Sequence, residues 1–174
     1  MRNPELVSFQ KKRITMENKK VYLASSMSPR FRETIAAAAE ILRGRFSDVY
    51  VPMEHFVKNA WDYPNNEWGL MVFQNDLNAI DSCEYVVLLN YGRANTTAGC
   101  AWEAGYAFAS GKKVFVVDIN EIKGEEVEEG DIDRDFVTSL MIENGRYATI
   151  EGLDGLARYN FWELPKTRTR FEQK

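Results

Sequence analysis

The sequence predicts an α/β protein, a doubly wound and mostly parallel sheet of five strands with helices on both faces. Three observations predict it. Short apolar runs of strand length alternate along the chain with longer stretches of helical period, the pattern that builds parallel sheets. One of those runs, Tyr85-Val86-Val87-Leu88-Leu89, is almost continuously apolar, as a central strand covered on both faces must be. Finally, 174 residues, 45% of them hydrophobic, suit one domain whose core needs no disulfide or metal to hold it.

Residues 1–18 show little periodicity and read as a flexible N-terminal arm, ahead of a single α/β domain over 19–165 and a tail over 166–174. Val21-Tyr22-Leu23-Ala24 is the first strand, and Ser25, Ser26, Ser28 and Pro29 supply a turn and a helix start. Phe31, Ile35, Ala38, Ala39 and Leu42 recur at helical spacing as far as Gly44, a natural stop. Val49-Tyr50-Val51 before Pro52 is the second strand. Residues 53–65 then form a long loop of the kind that usually carries function. Residues 66–82 predict a helix with Leu70, Phe73, Leu77 and Ile80 along its apolar face and Asp76 at the edge of that face. After the central strand come a Gly-bearing loop over 91–98, a helix of small residues over 99–110 and a strand over 114–117. A helix over 136–143, a strand over 147–150 and a helix over 153–159 complete the core.

Composition narrows the chemistry. The chain has one histidine, His55, and two cysteines, Cys83 and Cys100, with no Cys-x-x-Cys and no His-x-x-x-His. A four-ligand Cys/His zinc site is therefore excluded, and a histidine triad would have to use His55. The net charge of −4 argues against a nucleic-acid polymer as partner. No apolar run approaches a membrane span, and the basic first 20 residues lack the apolar stretch of a leader, so the expectation is a cytoplasmic protein with reduced thiols and no membrane partner. There is no Gly-x-Gly-x-x-Gly and no Walker loop, hence no support for a dinucleotide or ATP site. Residues 121–135 hold eight acids. Their Asp131-x-Asp133-x-Asp135 spacing is that of a calcium loop, but Phe136 stands where glycine is needed and Ile142 where the bidentate Glu belongs, so a solvated loop is expected. With 26 acidic residues in the chain, carboxylates are the expected carriers of any chemistry.

Ligands of open parallel sheets bind beyond the carboxyl ends of the strands, where 22–28, 53–65 and 91–103 converge. Glu103 is expected in the first turn or so of the helix that opens Gly99-Cys100-Ala101-Trp102, where the dipole and free amides favour a charged carboxylate. An ionised, positioned carboxylate is a nucleophile. Position alone favours the plainer role of complementing the dipole, but the surrounding constellation shifts the balance. Tyr22, near the end of the first strand, can hydrogen-bond Glu103, and Asp76 is a second, semi-buried carboxylate facing the same crevice. Paired carboxylates suit acetal-like bonds: one attacks the anomeric carbon while another polar group manages the leaving group's proton. Taken singly, Tyr22 also fits a core-edge strand residue and Asp76 a helix surface.

Between about residues 20 and 165 the sequence resembles the nucleoside 2-deoxyribosyltransferases and their relatives, the 2'-deoxynucleoside 5'-phosphate N-hydrolases. The resemblance rests on Val21-Tyr22-Leu23-Ala24-Ser25, on Glu67-Trp68 through Asn75-Asp76-Leu77-Asn78, on Gly99-Cys100-Ala101-Trp102-Glu103-Ala104-Gly105-Tyr106-Ala107, and on Ser139-Leu140-Met141-Ile142. The block around Glu103 is the specific one. The resemblance implies a flavodoxin-like fold in which Glu103 forms a covalent deoxyribosyl intermediate, Tyr22 orients that glutamate near the sugar's 2' position, and Asp76 contacts the bound nucleoside. The base leaves, and a second base or water takes the sugar. It implies no metal and no organic cofactor. Its partners would be a small-molecule deoxynucleoside or deoxynucleotide and a free nucleobase. Substrate contacts carry over to Ser25, Thr97, Gly99, Ser139, Met141 and Asn160, with Ser139 and the tail near Asn160 reaching a neighbour's pocket in a homo-oligomer.

Two positions depart from the transferase pattern. Transferases usually carry Asp six residues before the nucleophile, where this chain has Thr97, and Asn before the Leu-Met pair, where it has Ser139. The 5'-phosphate hydrolases hold serine at both places to bind phosphate, so Thr97 and Ser139 look like the hydrolase pattern, to which Ser25 and Arg30 would add contacts. Glu67-Trp68, Trp102 and the Asn160-Phe161 to Leu164-Pro165 ending look closer to the transferases. The leading expectation is a transferase acting through deoxyribosyl-Glu103. The alternative is a 5'-monophosphate N-glycosidase releasing base and deoxyribose 5-phosphate. A third reading, from another class, is a nucleotide-binding module without turnover.

Overall fold

The computed structural model describes residues 16–92, 96–119 and 139–162. Five strands, β1 (Met16–Ala24), β2 (Phe46–Tyr50), β3 (Tyr85–Asn90), β4 (Lys113–Asp118) and β5 (Ala148–Glu151), pair in the order β2-β1-β3-β4-β5. Every pairing is parallel. The helices between them are α1 (Arg32–Arg43), α2 (Asn65–Ser82), α3 (Ala98–Ala109), α4 (Leu140–Gly145) and α5 (Gly152–Arg158). The expected doubly wound, flavodoxin-like arrangement is present. The chain steps from β1 outward to β2, then returns past β1 to β3, which puts the topological switch point between β1 and β3.

Strand periodicity divides the core into two layers. Val21 and Leu23 of β1 with Val87 and Leu89 of β3 face α1 and α5, meeting Ile35, Leu42 and Leu156. Tyr22 and Ala24 with Val86 and Leu88 face the other way, meeting Ile80, Ala104 and Ile142 of α2, α3 and α4. All six residues of β3 are buried, the apolar run from Tyr85 to Leu89 and the polar Asn90 that follows it. The buried face of α3 is Cys100, Ala104 and Ala107, small side chains that let the helix lie close to the sheet. Cys83 and Cys100 are buried free thiols.

Several boundaries differ from expectation. Strand β1 begins at Met16, inside the stretch read as an arm, and its register with β2 shifts between Met16 and Lys20, where Asn18 has a φ of 77°. Gly44 ends α1 without a left-handed turn, at φ −69°, and Arg45 closes the end by donating its amide to Leu42. The 53–65 loop carries short 3-10 turns at Pro52–Glu54 and Ala60–Asp62. In α2 the predicted apolar face is real but only its last turns are covered. Ala79 and Ile80 are buried, whereas Leu70 and Phe73 are 64% and 45% exposed. The acidic stretch 121–135, the first part of the helix expected over 136–143 and the tail over 166–174 lie outside the described residues. Among the described residues no helix is long and apolar enough to cross a membrane.

Candidate active site

The site begins with a residue that strand alternation turns inward. Tyr22 lies fully buried on the face of β1 that meets α3, and its hydroxyl donates to Oε1 of Glu103 at 2.8 Å. A buried tyrosine hydroxyl needs a partner, and the glutamate supplies it. In register beside Tyr22, at the end of β2, is Tyr50; the two rings stack at 5.4 Å and 12°. The Tyr50 hydroxyl donates to Asp76 Oδ1 at 3.3 Å. His55, from the loop after β2, stacks on the Tyr50 ring at 4.1 Å and 2°. Two carboxylates from two helices are thus each held by a tyrosine from one of two neighbouring strands, with the histidine over the second tyrosine.

Glu103 is the sixth residue of α3, one position deeper than a helix opening at Gly99 places it, and so lies in the second turn, beyond the free amides of the first. Burial pushes its carboxyl up to about 7, the hydrogen bond from Tyr22 pulls it down, and the charge of Asp76 pushes it up. The expectation of a carboxylate held charged by the dipole is corrected accordingly: at neutral pH this group is poised between its two forms. Burial likewise raises Asp76, against the opposing effects of the Tyr50 hydroxyl and of His55. Tyr50 is pushed up to about 12, first by burial and then by the Asp76 charge. Tyr22 rises well above the usual phenol range, from burial first and the Glu103 and Asp76 charges next, so it stays protonated and remains a donor.

The remaining sequence-derived residues lie around and beyond this cluster. Ser25 Oγ is 3.3 Å from the Tyr91 hydroxyl, whose ring stacks on Phe31 at 3.8 Å, with the Arg30 guanidinium 4.3 Å over Phe31. Thr97 is the N-cap of α3: its hydroxyl accepts from the Cys100 amide at 3.3 Å and donates to Cys100 Sγ at 3.2 Å. Gly99 is exposed in the first turn of that helix. Ser139 is the N-cap of α4, accepting from the Ile142 amide at 3.3 Å, and Asn160 accepts locally from the Trp162 amide at 3.1 Å. Met141 is 83% exposed and borders a cavity of about 340 Å³ between α3 and α4, lined with Ala101, Ala104, Phe108 and Ile142, apart from the carboxylate pair. Within one chain the structure therefore assembles Tyr22, Asp76 and Glu103, while the hydroxyls of Thr97 and Ser139 serve helix caps.

Two members of the cluster were not singled out as site residues from sequence, Tyr50 and His55. Tyr50 was legible in principle, because it ends a strand that neighbours β1 on the same sheet face as Tyr22. His55 was noted only as the one available histidine. Among the described residues no group of three or more His, Cys, Asp and Glu side chains is arranged to hold a metal.

A family model described as nucleoside 2-deoxyribosyltransferase matches residues 21–141. The structure resembles that of a 2-deoxyribosyltransferase from the psychrotolerant bacterium Bacillus psychrosaccharolyticus, with 27% identity over 84% of this chain and 96% of that one and a TM-score of 0.64. It also resembles a conserved protein from Enterococcus faecalis, with 17% identity over 80% of this chain and 94% of that one and a TM-score of 0.58, a likeness of fold alone. A CMP N-glycosidase from Clostridium botulinum aligns at 15% identity over 81% of this chain and all of that one, and its TM-score of 0.48 is too low to bear on the reaction. No curated protein matches the chain significantly in sequence.

Proposed function

Because the chain belongs to the nucleoside 2-deoxyribosyltransferase family, we propose that it cleaves the N-glycosidic bond of 2'-deoxynucleosides through a deoxyribosyl-Glu103 intermediate and passes the sugar to another nucleobase. The observation that carries this reading is the Tyr22–Glu103 hydrogen bond. Tyr22 occupies Oε1, orients the carboxylate and leaves Oε2 to attack the anomeric carbon. As the new bond forms, the bond to the base breaks and its electron pair leaves on the base nitrogen. Asp76, the half-buried second carboxylate beside the pocket, relays a proton from solvent to that nitrogen. His55 and the Tyr50 hydroxyl favour the ionised form of Asp76 against the effect of burial. Attack by an incoming base from the same face regenerates free Glu103.

The Bacillus psychrosaccharolyticus likeness supports transfer. The hydrolase reading relies on hydroxyls at Thr97 and Ser139, and both are engaged in capping their own helices. The deciding assay offers thymidine with adenine, and separately deoxynucleoside monophosphates alone, and identifies the products by chromatography. Deoxyadenosine from the first mixture is the expected result. Deoxyribose 5-phosphate from the second, with no exchange in the first, contradicts it.

A further inference from the structure

At the carboxyl end of the central strand sits Asn90, a fully buried polar side chain that the mechanism above does not use. Burying an amide is costly unless each of its polar atoms is met, and a fully met network is stiff. Here its Nδ2 donates to Asp118 Oδ1 at 2.6 Å, and its Oδ1 accepts from the Gly92 amide at 3.0 Å and from the Thr96 hydroxyl at 2.9 Å. Asp118 is its register partner at the end of β4. Gly92, at φ +86°, takes a left-handed conformation suited to glycine, with its amide on Asn90 and its carbonyl accepting from the Thr96 amide at 2.8 Å. The next residue, Thr97, caps α3, and six residues further along stands Glu103.

We propose that Asn90 is a positioning residue for Glu103: one buried amide ties the end of β4 to both flanks of the β3–α3 connection and so fixes where α3 begins. This rests on the reading of Glu103 as nucleophile. Tyr22 approaches Glu103 from β1 and is fixed by the sheet itself, so the 2.8 Å contact holds only if α3 keeps its place along its own axis. Misplacing a reacting group by about 1 Å costs on the order of 100-fold in rate.

The test exploits the direction of the Asn90–Asp118 bond. Asn90→Asp sets two carboxylates against each other. Adding Asp118→Asn reverses donor and acceptor, and restores all three contacts. In transfer assays on protein shown to be folded by near-ultraviolet circular dichroism, Asn90→Asp should lower kcat about 10- to 100-fold with KM changed less than about threefold. The double variant should recover kcat to within about fivefold of wild type. Thr96→Val removes a single hydroxyl donor at a partly exposed position and decides the matter if Asn90→Asp does not fold; its kcat should fall about three- to tenfold. A purely structural role would lower and restore Tm while leaving the kcat of folded protein unchanged. Glu103→Ala, run beside them, separates the two readings. If it turns over like wild type, the assignment of Glu103 falls and the positioning of Asn90 with it. If it is inactive while folded Asn90 and Thr96 variants keep kcat within about twofold of wild type, the positioning proposal alone falls.

Discussion

The hydroxyl of Tyr22 meets Oε1 of Glu103 at 2.8 Å, across 81 residues of sequence and between a buried strand and the second turn of a helix. That bond both orients the carboxylate and lowers its proton affinity against the effect of burial. Tyr22→Phe should therefore do two things. Losing a hydrogen bond to a charged group costs about 1.5 to 3 kcal/mol, or roughly 10- to 100-fold in kcat/KM. The ascending limb of kcat/KM against pH, which reports the free enzyme and is expected near 7 in the wild type, should also move to higher pH.

Asp76 acts on the same group in the opposite sense, since its charge raises Glu103. Asp76→Asn removes that charge, so the ascending limb should move to lower pH. At the same time kcat should fall, because the departing base loses its carboxyl. Opposite displacements of one limb by Tyr22→Phe and Asp76→Asn, measured on the same substrate, check that both surround one titrating carboxyl.

The raised Glu103 carboxyl also has a signature in stability. Its folded value, about 7, lies above the ordinary 4.5, so the folded state holds a proton that the unfolded chain releases between those values. Stability from this group is complete below about pH 4.5 and is lost as pH rises through about 7. Glu103→Gln removes the ionisation. It should match wild type below pH 4.5 and be more stable above pH 7, on the order of 1 to 3 kcal/mol, as thermal melts across that range would show.

Thr97 separates capping from phosphate binding. As the N-cap of α3, its replacement by alanine should cost about 1 kcal/mol of stability and leave the KM for a deoxynucleoside nearly unchanged. A selective rise in KM for the 5'-monophosphate alone, measured beside the nucleoside, would instead favour the hydrolase reading.

Much of this architecture was legible in the sequence because it follows from local pattern. The nearly continuous apolar run from Tyr85 to Leu89 became the central strand, and the alternation of Tyr22 with Val21 and Leu23 already implied that Tyr22 faces a different helix layer from its neighbours. What pattern could not supply was depth and company. The place of Glu103 along its helix was legible to within one residue, but the rise in its proton affinity follows from burial that no spacing reveals. Tyr50 and His55 joined the site through strand register and ring stacking, both tertiary facts. The stripe of Leu70 and Phe73 was read correctly as apolar, yet the described residues leave it exposed. Thr97 and Ser139 show the converse: residues noticed for ligand chemistry turned out to satisfy helix ends.

The central claim is that Glu103 carries the sugar. Incubating the protein with a 2'-fluorinated nucleoside analogue, which slows release of the glycosyl group, and mapping the adduct by peptide mass spectrometry tests it most directly. The account predicts a single sugar increment on Glu103, absent in Glu103→Ala. An adduct on any other residue, or free base released with no adduct at all, contradicts it.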